Sequence, residues 1–111
     1  MKRKIYISLP ITGHNILQQR AKALEAIDRL SVKPGQEVEF VNPFDISDAL
    51  NSLHKAMCIP PPTYEEYMLY DLRAQDGCQA TYFCKGYDGS EGCGREHLNA
   101  VLNNQELMYE V

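Results

Sequence analysis

Hydrophobic and polar positions change period several times along the chain. Lys4-Ile5-Tyr6-Ile7-Ser8 is rich in β-branched and aromatic residues and runs into Leu9-Pro10, which predicts a first strand and a turn. Within Pro10-Ile11-Thr12-Gly13, Gly13 supplies a residue free to adopt positive φ. From about Asn15 to Ser31 the period becomes helical, with Ile16, Leu17, Ala21, Leu24, Ile27, Asp28 and Leu30 recurring at helical spacing. Asn15 or His14 stands where an N-cap belongs, and Pro34-Gly35 is expected to stop the helix. Glu37-Val38-Glu39-Phe40-Val41 alternates polar and apolar before Asn42-Pro43, a second strand with one better-buried face. Strand, helix and strand in this order form a βαβ unit, whose strands pair in parallel through a right-handed crossover.

From Phe44 to Thr63 the pattern weakens. Asp45 to Cys58 has room for a short helix, and Ile59-Pro60-Pro61-Pro62 interrupts any regular element. So long a connection reads equally as a functional lid or as a surface excursion. Thr63 opens a clearer helix, with Glu65 and Glu66 in the first turn, where the helix dipole favours them. Tyr64, Tyr67, Met68 and Asp71 fall near one face of that helix, and Gly77 closes it. Gln79 to Cys84 is nearly continuous in apolar character, as a central strand covered on both faces should be. Lys85 to Gly94 is turn-rich, Glu96 to Asn104 reads as a helix with Leu98, Val101 and Leu102 inward, and Leu107 to Val111 fits a short last strand. The expected fold is α/β: one domain over residues 1–111, an open parallel sheet of about four strands with flanking helices, flavodoxin- or Rossmann-like.

Composition narrows the function classes. A net charge of −4 and a pI near 5.3 argue against a broad basic surface for a nucleic-acid polymer or an anionic membrane, while leaving room for a local pocket that takes one small anion. No apolar run approaches the roughly 20 residues that span a bilayer. The basic start, Met1-Lys2-Arg3-Lys4, is followed by a strand instead of a signal-peptide apolar region, so a cytoplasmic location is expected. Cys58, Cys78, Cys84 and Cys93 form no C-x-x-C pair and have no His at zinc-finger spacing. They read as reduced structural thiols, and no metal site is expected.

In open parallel sheets, ligands bind beyond the carboxyl ends of the strands. Leu9 to His14, Asn42 to Asp45 and Lys85 to Glu96 occupy such positions. The third segment carries the most chemistry. In Ser90-Glu91-Gly92-Cys93-Gly94-Arg95-Glu96 two glycines alternate between a hydroxyl and a carboxylate. Gly92 and Gly94 let a ligand approach the backbone, and Glu96 is expected in the first turn of the following helix. By itself an acid there does no more than cap the helix and offset its dipole. His97 follows Glu96 directly and points about 100° away on a helix, so the two do not form a catalytic pair.

Taken in order, Lys4-Ile5-Tyr6-Ile7-Ser8-Leu9-Pro10-Ile11-Thr12-Gly13, Val41-Asn42-Pro43, Asp71 and Gly86-Tyr87-x-x-Ser90-x-Gly92-x-Gly94-x-Glu96 resemble the nucleoside 2-deoxyribosyltransferase-like superfamily. The resemblance spans about residues 4–100. The 2'-deoxynucleoside 5'-phosphate N-hydrolases share the same Ser-x-Gly-x-Gly-x-Glu turn. The resemblance implies cleavage or transfer at the N-glycosidic bond of a (deoxy)nucleoside or nucleotide, without a cofactor. Glu96 matches the nucleophile that attacks C1', Asp71 an aspartate that assists the departing base, and Tyr6 a tyrosine beside sugar and nucleophile. Ser90, Gly92 and Gly94 match groups that hold sugar or phosphate, and Gly13, Thr12 and Asn42 are the remaining candidate substrate contacts. The resemblance also implies a homo-oligomer. Leu9, Thr12 and Gln79 depart from the family pattern. Leu9 and Gln79 carry one alternative reading, a non-catalytic nucleotide-binding module, and Thr12 bears on 5'-phosphate recognition. The tyrosine-rich face of Tyr64, Tyr67 and Tyr70 carries the other alternative, an interaction protein with a vestigial pocket.

Overall fold

The computed structural model describes residues 2–31, 35 and 37–111. Strand β1 (Arg3–Ser8) leads to helix α1 (Ile16–Leu30), strand β2 (Val38–Val41) and helix α2 (Pro43–Ala56). Helix α3 (Tyr64–Asp76), strand β3 (Ala80–Phe83), a 3₁₀ turn at Tyr87–Gly89, helix α4 (Glu91–Leu102) and strand β4 (Glu106–Tyr109) complete the domain. The four strands are parallel in the order β2-β1-β3-β4, with Ile5 opposite Phe40 on one side and opposite Ala80 on the other. The chain is therefore a single α/β domain of the Rossmann-like kind. No helix among the described residues is long and apolar enough to cross a membrane.

Period-2 alternation along β1 and β3 splits the interior into two unlike halves. Ile5, Ile7, Ala80, Tyr82 and Cys84 form one face and pack with Ala23 and Ala26 of α1. Fully burying an aliphatic side chain contributes roughly 1.5–3 kcal/mol, so Ile5 and Ile7 are strong contributors on this face. The other face carries Tyr6, Ser8, Thr81 and Phe83, all with 0% exposure, and it meets α3 and α4. There Gln75 Nε2 donates to Thr81 Oγ1 and to the Glu96 carbonyl, both at 2.9 Å. Thr81 Oγ1 donates to Gln105 Oε1 at 2.6 Å, and Gln105 Nε2 donates to the Gln75 carbonyl at 2.7 Å. A buried polar network is tolerated only when its members are paired, and this one is.

Four sequence expectations need correction. Helix α2 is a full element that begins at Pro43, capped by the Asn42 side chain, where only a short helix from Asp45 was expected. Proline at the first helical position lacks only an N–H that would be unpaired anyway. Helix α4 begins at Glu91, more than a turn before Glu96, because Ser90 Oγ accepts from the Cys93 amide at 3.3 Å. Glu96 therefore lies in the second turn. Leu98, Val101 and Leu102 face outward at 60%, 48% and 71% exposure, while Cys93, Glu96 and Ala100 face inward. Helix α1 likewise buries Gln19, Ala23 and Ala26 and exposes Leu17 and Leu24.

Other expectations agree with the structure. Asn15, not His14, caps α1, accepting from the Gln18 amide at 3.0 Å. Thr63 and Glu66 form a reciprocal capping box at the start of α3, and Gly77 ends that helix. All four residues of β3 are buried. The four cysteines are free, with Cys78, Cys84 and Cys93 buried. Of the expected stop after α1, Gly35 takes φ +87° and Pro34 lies outside the described residues.

Candidate functional site

The order β2-β1-β3-β4 reverses direction between β1 and β3, since β1 leads outward to β2 and β3 leads the other way to β4. Loops leaving those two carboxyl ends diverge and leave a crevice. A cleft of ≈ 890 Å³ opens there, walled by the β1–α1 turn, α2, α3 and the first turns of α4. Gln19 Nε2 donates to the Pro10 carbonyl at 2.5 Å, which fastens the β1–α1 turn to α1.

Glu96 is the most constrained group on the cleft wall. It is 5% exposed, and hydroxyls from the same face of β1 serve both of its carboxyl oxygens. Tyr6 OH donates to Oε2, and Ser8 Oγ donates to Oε1 at 2.7 Å. Positions i and i+2 of a strand share a face, so the Tyr-x-Ser spacing by itself aims both hydroxyls at one acceptor. Gln75 holds the backbone of Glu96 from the opposite side. Asp71 stands one helical turn before Gln75 on α3. It is 7% exposed, and its Oδ1 is the one buried side-chain oxygen or nitrogen without a hydrogen-bond partner among the described residues. An unpaired buried carboxyl oxygen costs free energy unless the group is neutral or a ligand meets it.

Burial pushes Asp71 up to about 7. Burial also pushes Glu96 up to about 8, with the Tyr6 and Ser8 hydrogen bonds opposing the rise and the charge of Asp71 adding to it. Between those values the two carboxyls hold one proton as a coupled pair. Tyr6 is raised well above its ordinary value by burial and by the two carboxylates, so it remains a donor. Arg20, which lines the cleft, and Arg95, on α4, are already engaged. Arg20 makes a two-pronged pair with Asp48 at 2.9 and 2.6 Å, and Arg95 pairs with Glu65 at 2.9 and 3.1 Å.

The cleft brings together Glu96, Asp71, Ser90, Gly92, Thr12 and Gly13 from the sequence-derived site. Gly13 takes φ +80° in the turn. A Cβ at Gly92 would meet Tyr64 Oη at 3.4 Å and Met68 Sδ at 3.6 Å, so glycine lets α4 approach α3. Tyr6 lies behind Glu96 and does not line the cleft. Asn42 is the α2 cap, its Oδ1 accepting from the Phe44 amide at 3.0 Å, and it does not line the cleft either. Gly94 sits exposed on the outer side of α4, and its amide is consumed by the Ser90 carbonyl at 2.9 Å. Tyr70 is turned away at 42% exposure, over Arg73. His97 packs among Phe83, Tyr87 and Tyr109. Gln79 acts at the far end of the sheet, where its Oε1 accepts from the Lys4 amide at 2.7 Å.

Sequence reasoning missed Ser8 as a site residue, although its spacing from Tyr6 in a strand was the available signal. It also missed Asn51, which lines the cleft and accepts a hydrogen bond from Tyr67 OH. Cys93, buried at the cleft wall between Ser90 and Glu96, carried no signal beyond its place in the glycine-rich turn.

No protein-family model matches this chain, and no curated protein matches it significantly.

Proposed function

We propose that the chain cleaves or transfers at the N-glycosidic bond of a (deoxy)nucleoside, with Glu96 as nucleophile and Asp71 as the acid that serves the leaving base. The observation that carries this reading is the unlike treatment of two carboxyls on one cleft. Glu96 receives two hydroxyl donors, which favour its anion, whereas Asp71 Oδ1 receives none. Deeper burial still leaves the pair's proton on Glu96 in the free cleft, so the reading requires that proton to pass to Asp71 when substrate binds. One carboxylate and one carboxylic acid are what a retaining glycosyl transfer needs. The Glu96 carboxylate attacks C1' and forms an ester while the C1'–N bond breaks. Asp71 gives its proton to the departing base. Water, deprotonated by the Asp71 carboxylate, then attacks C1' and releases Glu96. A second base in place of water makes the reaction a transfer. Tyr6 and Ser8 orient the nucleophile, and Tyr64, Tyr67 and Met68 offer apolar and aromatic surface for a base.

Phosphate has weak support in this cleft. Arg20 and Arg95 are both paired, and Glu91 already stands in the first turn of α4, where an anion would otherwise gain from the dipole. Base release from deoxynucleosides and from their 5'-monophosphates, read by chromatography, tests the reading. Release is expected to be faster by at least about tenfold in kcat/KM for the nucleosides. Release from neither, with or without an acceptor base, would remove the catalytic reading.

The pH dependence follows from the coupled pair. Activity requires one proton on the pair. It is therefore expected to fall as pH drops below about 7, where both carboxyls are protonated, and again above about 8, where both are ionised. A kcat/KM profile with a narrow maximum between those values is the expected result. A flat profile from pH 5 to 9 would contradict it.

A further inference from the structure

One polar side chain on the cleft wall has no part in the reaction proposed above. Phe44, Ser47 and Asn51 recur at steps of three and four along α2 and all line the cleft, so one face of that helix is turned to it. Ser47 Oγ is spent on the Pro43 carbonyl, to which it donates at 3.1 Å. Asn51 is committed at one end only. Its Oδ1 accepts from Tyr67 OH, and its Nδ2 has no hydrogen-bond partner among the described residues. The Tyr67 hydroxyl therefore settles which end of the amide is free, and Asn51 offers a ligand its N–H donors.

Tyr67 also ties this donor to the leaving-group acid. It stands four residues before Asp71 on α3, so the two side chains share one helix face, roughly 5–6 Å apart at Cβ, and both line the cleft. A base that takes its proton from Asp71 turns the neighbouring part of its edge toward Asn51. In a purine, N7 is the exposed ring acceptor for that proton, and the substituent on C6 stands beside it on the same edge. A 6-oxo group meets the Asn51 N–H donors as an acceptor. A 6-amino group meets them with hydrogens of its own, and both sides lose partners that water had supplied.

We propose that the Asn51–Tyr67 pair selects 6-oxopurine bases, those of the hypoxanthine and guanine type, over 6-aminopurines. The inference rests on the glycosidic reading for where the base lies, whereas the base contact itself is measurable without turnover. Asn51 acts as the specificity-determining residue, and Tyr67 acts through it by holding Oδ1.

Two readouts on the full chain test this: kcat/KM for deoxyinosine against deoxyadenosine, and calorimetric binding of free hypoxanthine against adenine. The parent is expected to favour the oxo member of each couple by at least about tenfold. Tyr67→Phe frees Oδ1, lets the amide present either end, and should bring both ratios within about threefold of one. Asn51→Asp exchanges the donor for an acceptor and should reverse the preference. Asn51 is exposed, and each ratio is taken within one variant, so a general loss of activity cancels. A side chain that only fastens α2 to α3 would shift thermal melting and leave the ratios alone. Preferred binding of hypoxanthine without base release would uphold the selection and remove the reaction. Base release with no oxo preference, binding of neither base, or ratios indifferent to both variants would each overturn the proposal.

Discussion

Replacing Glu96 by Gln is expected to lower base release by at least about a thousandfold while leaving the fold intact. The carboxamide has nearly the same shape as the carboxylate, and it can accept from one of Tyr6 and Ser8 while the other hydroxyl turns to accept from its NH₂. It cannot form the ester at C1' on which the two-step reaction depends. Glu96→Ala should lose activity to the same degree but also stability. Truncation strands the Tyr6 and Ser8 hydroxyls in a site with 0% exposure and opens a void between α4 and β1. Chromatographic turnover and thermal melting, run side by side on both variants, separate the chemical loss from the structural one. Turnover by Glu96→Gln close to that of the parent would take Glu96 out of the mechanism.

The second large effect is on stability and needs no substrate. Asp71→Asn is expected to stabilise the domain at pH 8 by up to about 4 kcal/mol, the cost of holding at about 7 in the folded state an acid whose ordinary value is 3.8. Between those two values the folded state keeps a proton that the unfolded state releases. Rising pH therefore draws the equilibrium toward the unfolded chain, and stability from this group is full below about 4 and lost as pH climbs through about 7. Glu96 acts in the same direction, up to about 8. Urea unfolding of parent and variant at pH 5 and pH 8 measures the effect. The gap between them should be several-fold larger at pH 8. Equal gaps at both values would mean that Asp71 is not held neutral by its surroundings. The direction distinguishes a functional carboxyl from a structural one, because removing a residue that stabilises the fold would lower stability at pH 8.

Much of the fold was legible because β1, β2 and β3 and the caps of α1 and α3 carry local signals that agree with their tertiary roles. Helix α2 was obscured by apolar residues on two sides. Leu50 faces the core while Leu53 and Met57 face out, and together they blur the period that would announce one buried face. The start of α4 was hidden by Gly92 and Gly94, whose low helix propensity is overridden by the Ser90 cap and by close packing on α3. The inward face of α4 was read backwards for a different reason. That side of the interior is polar, so Cys93, Glu96 and Ala100 go in while Leu98 and Leu102 stay out, contrary to the usual sorting. A helix that buries a carboxylate and exposes leucines is not packed for cohesion alone, and that inversion points to Glu96 as a candidate. Glu96 and Asp71 stood out by residue type and motif, and both line the cleft. Which hydroxyls hold Glu96, and that Asn42 and Gly94 stand outside the cleft, depend on how α4 and β1 meet, which no local spacing encodes.

The proposed two-step reaction passes through a covalent bond between Glu96 and the sugar. The most direct test is peptide mass spectrometry of the full chain after incubation with a deoxynucleoside and rapid acid quench. The peptide containing Glu96 is expected to gain one deoxyribosyl group that added acceptor base removes, and Glu96→Gln is expected never to acquire it. Base release with no adduct on any carboxylate, or an adduct on Asp71 instead, would contradict the assignment.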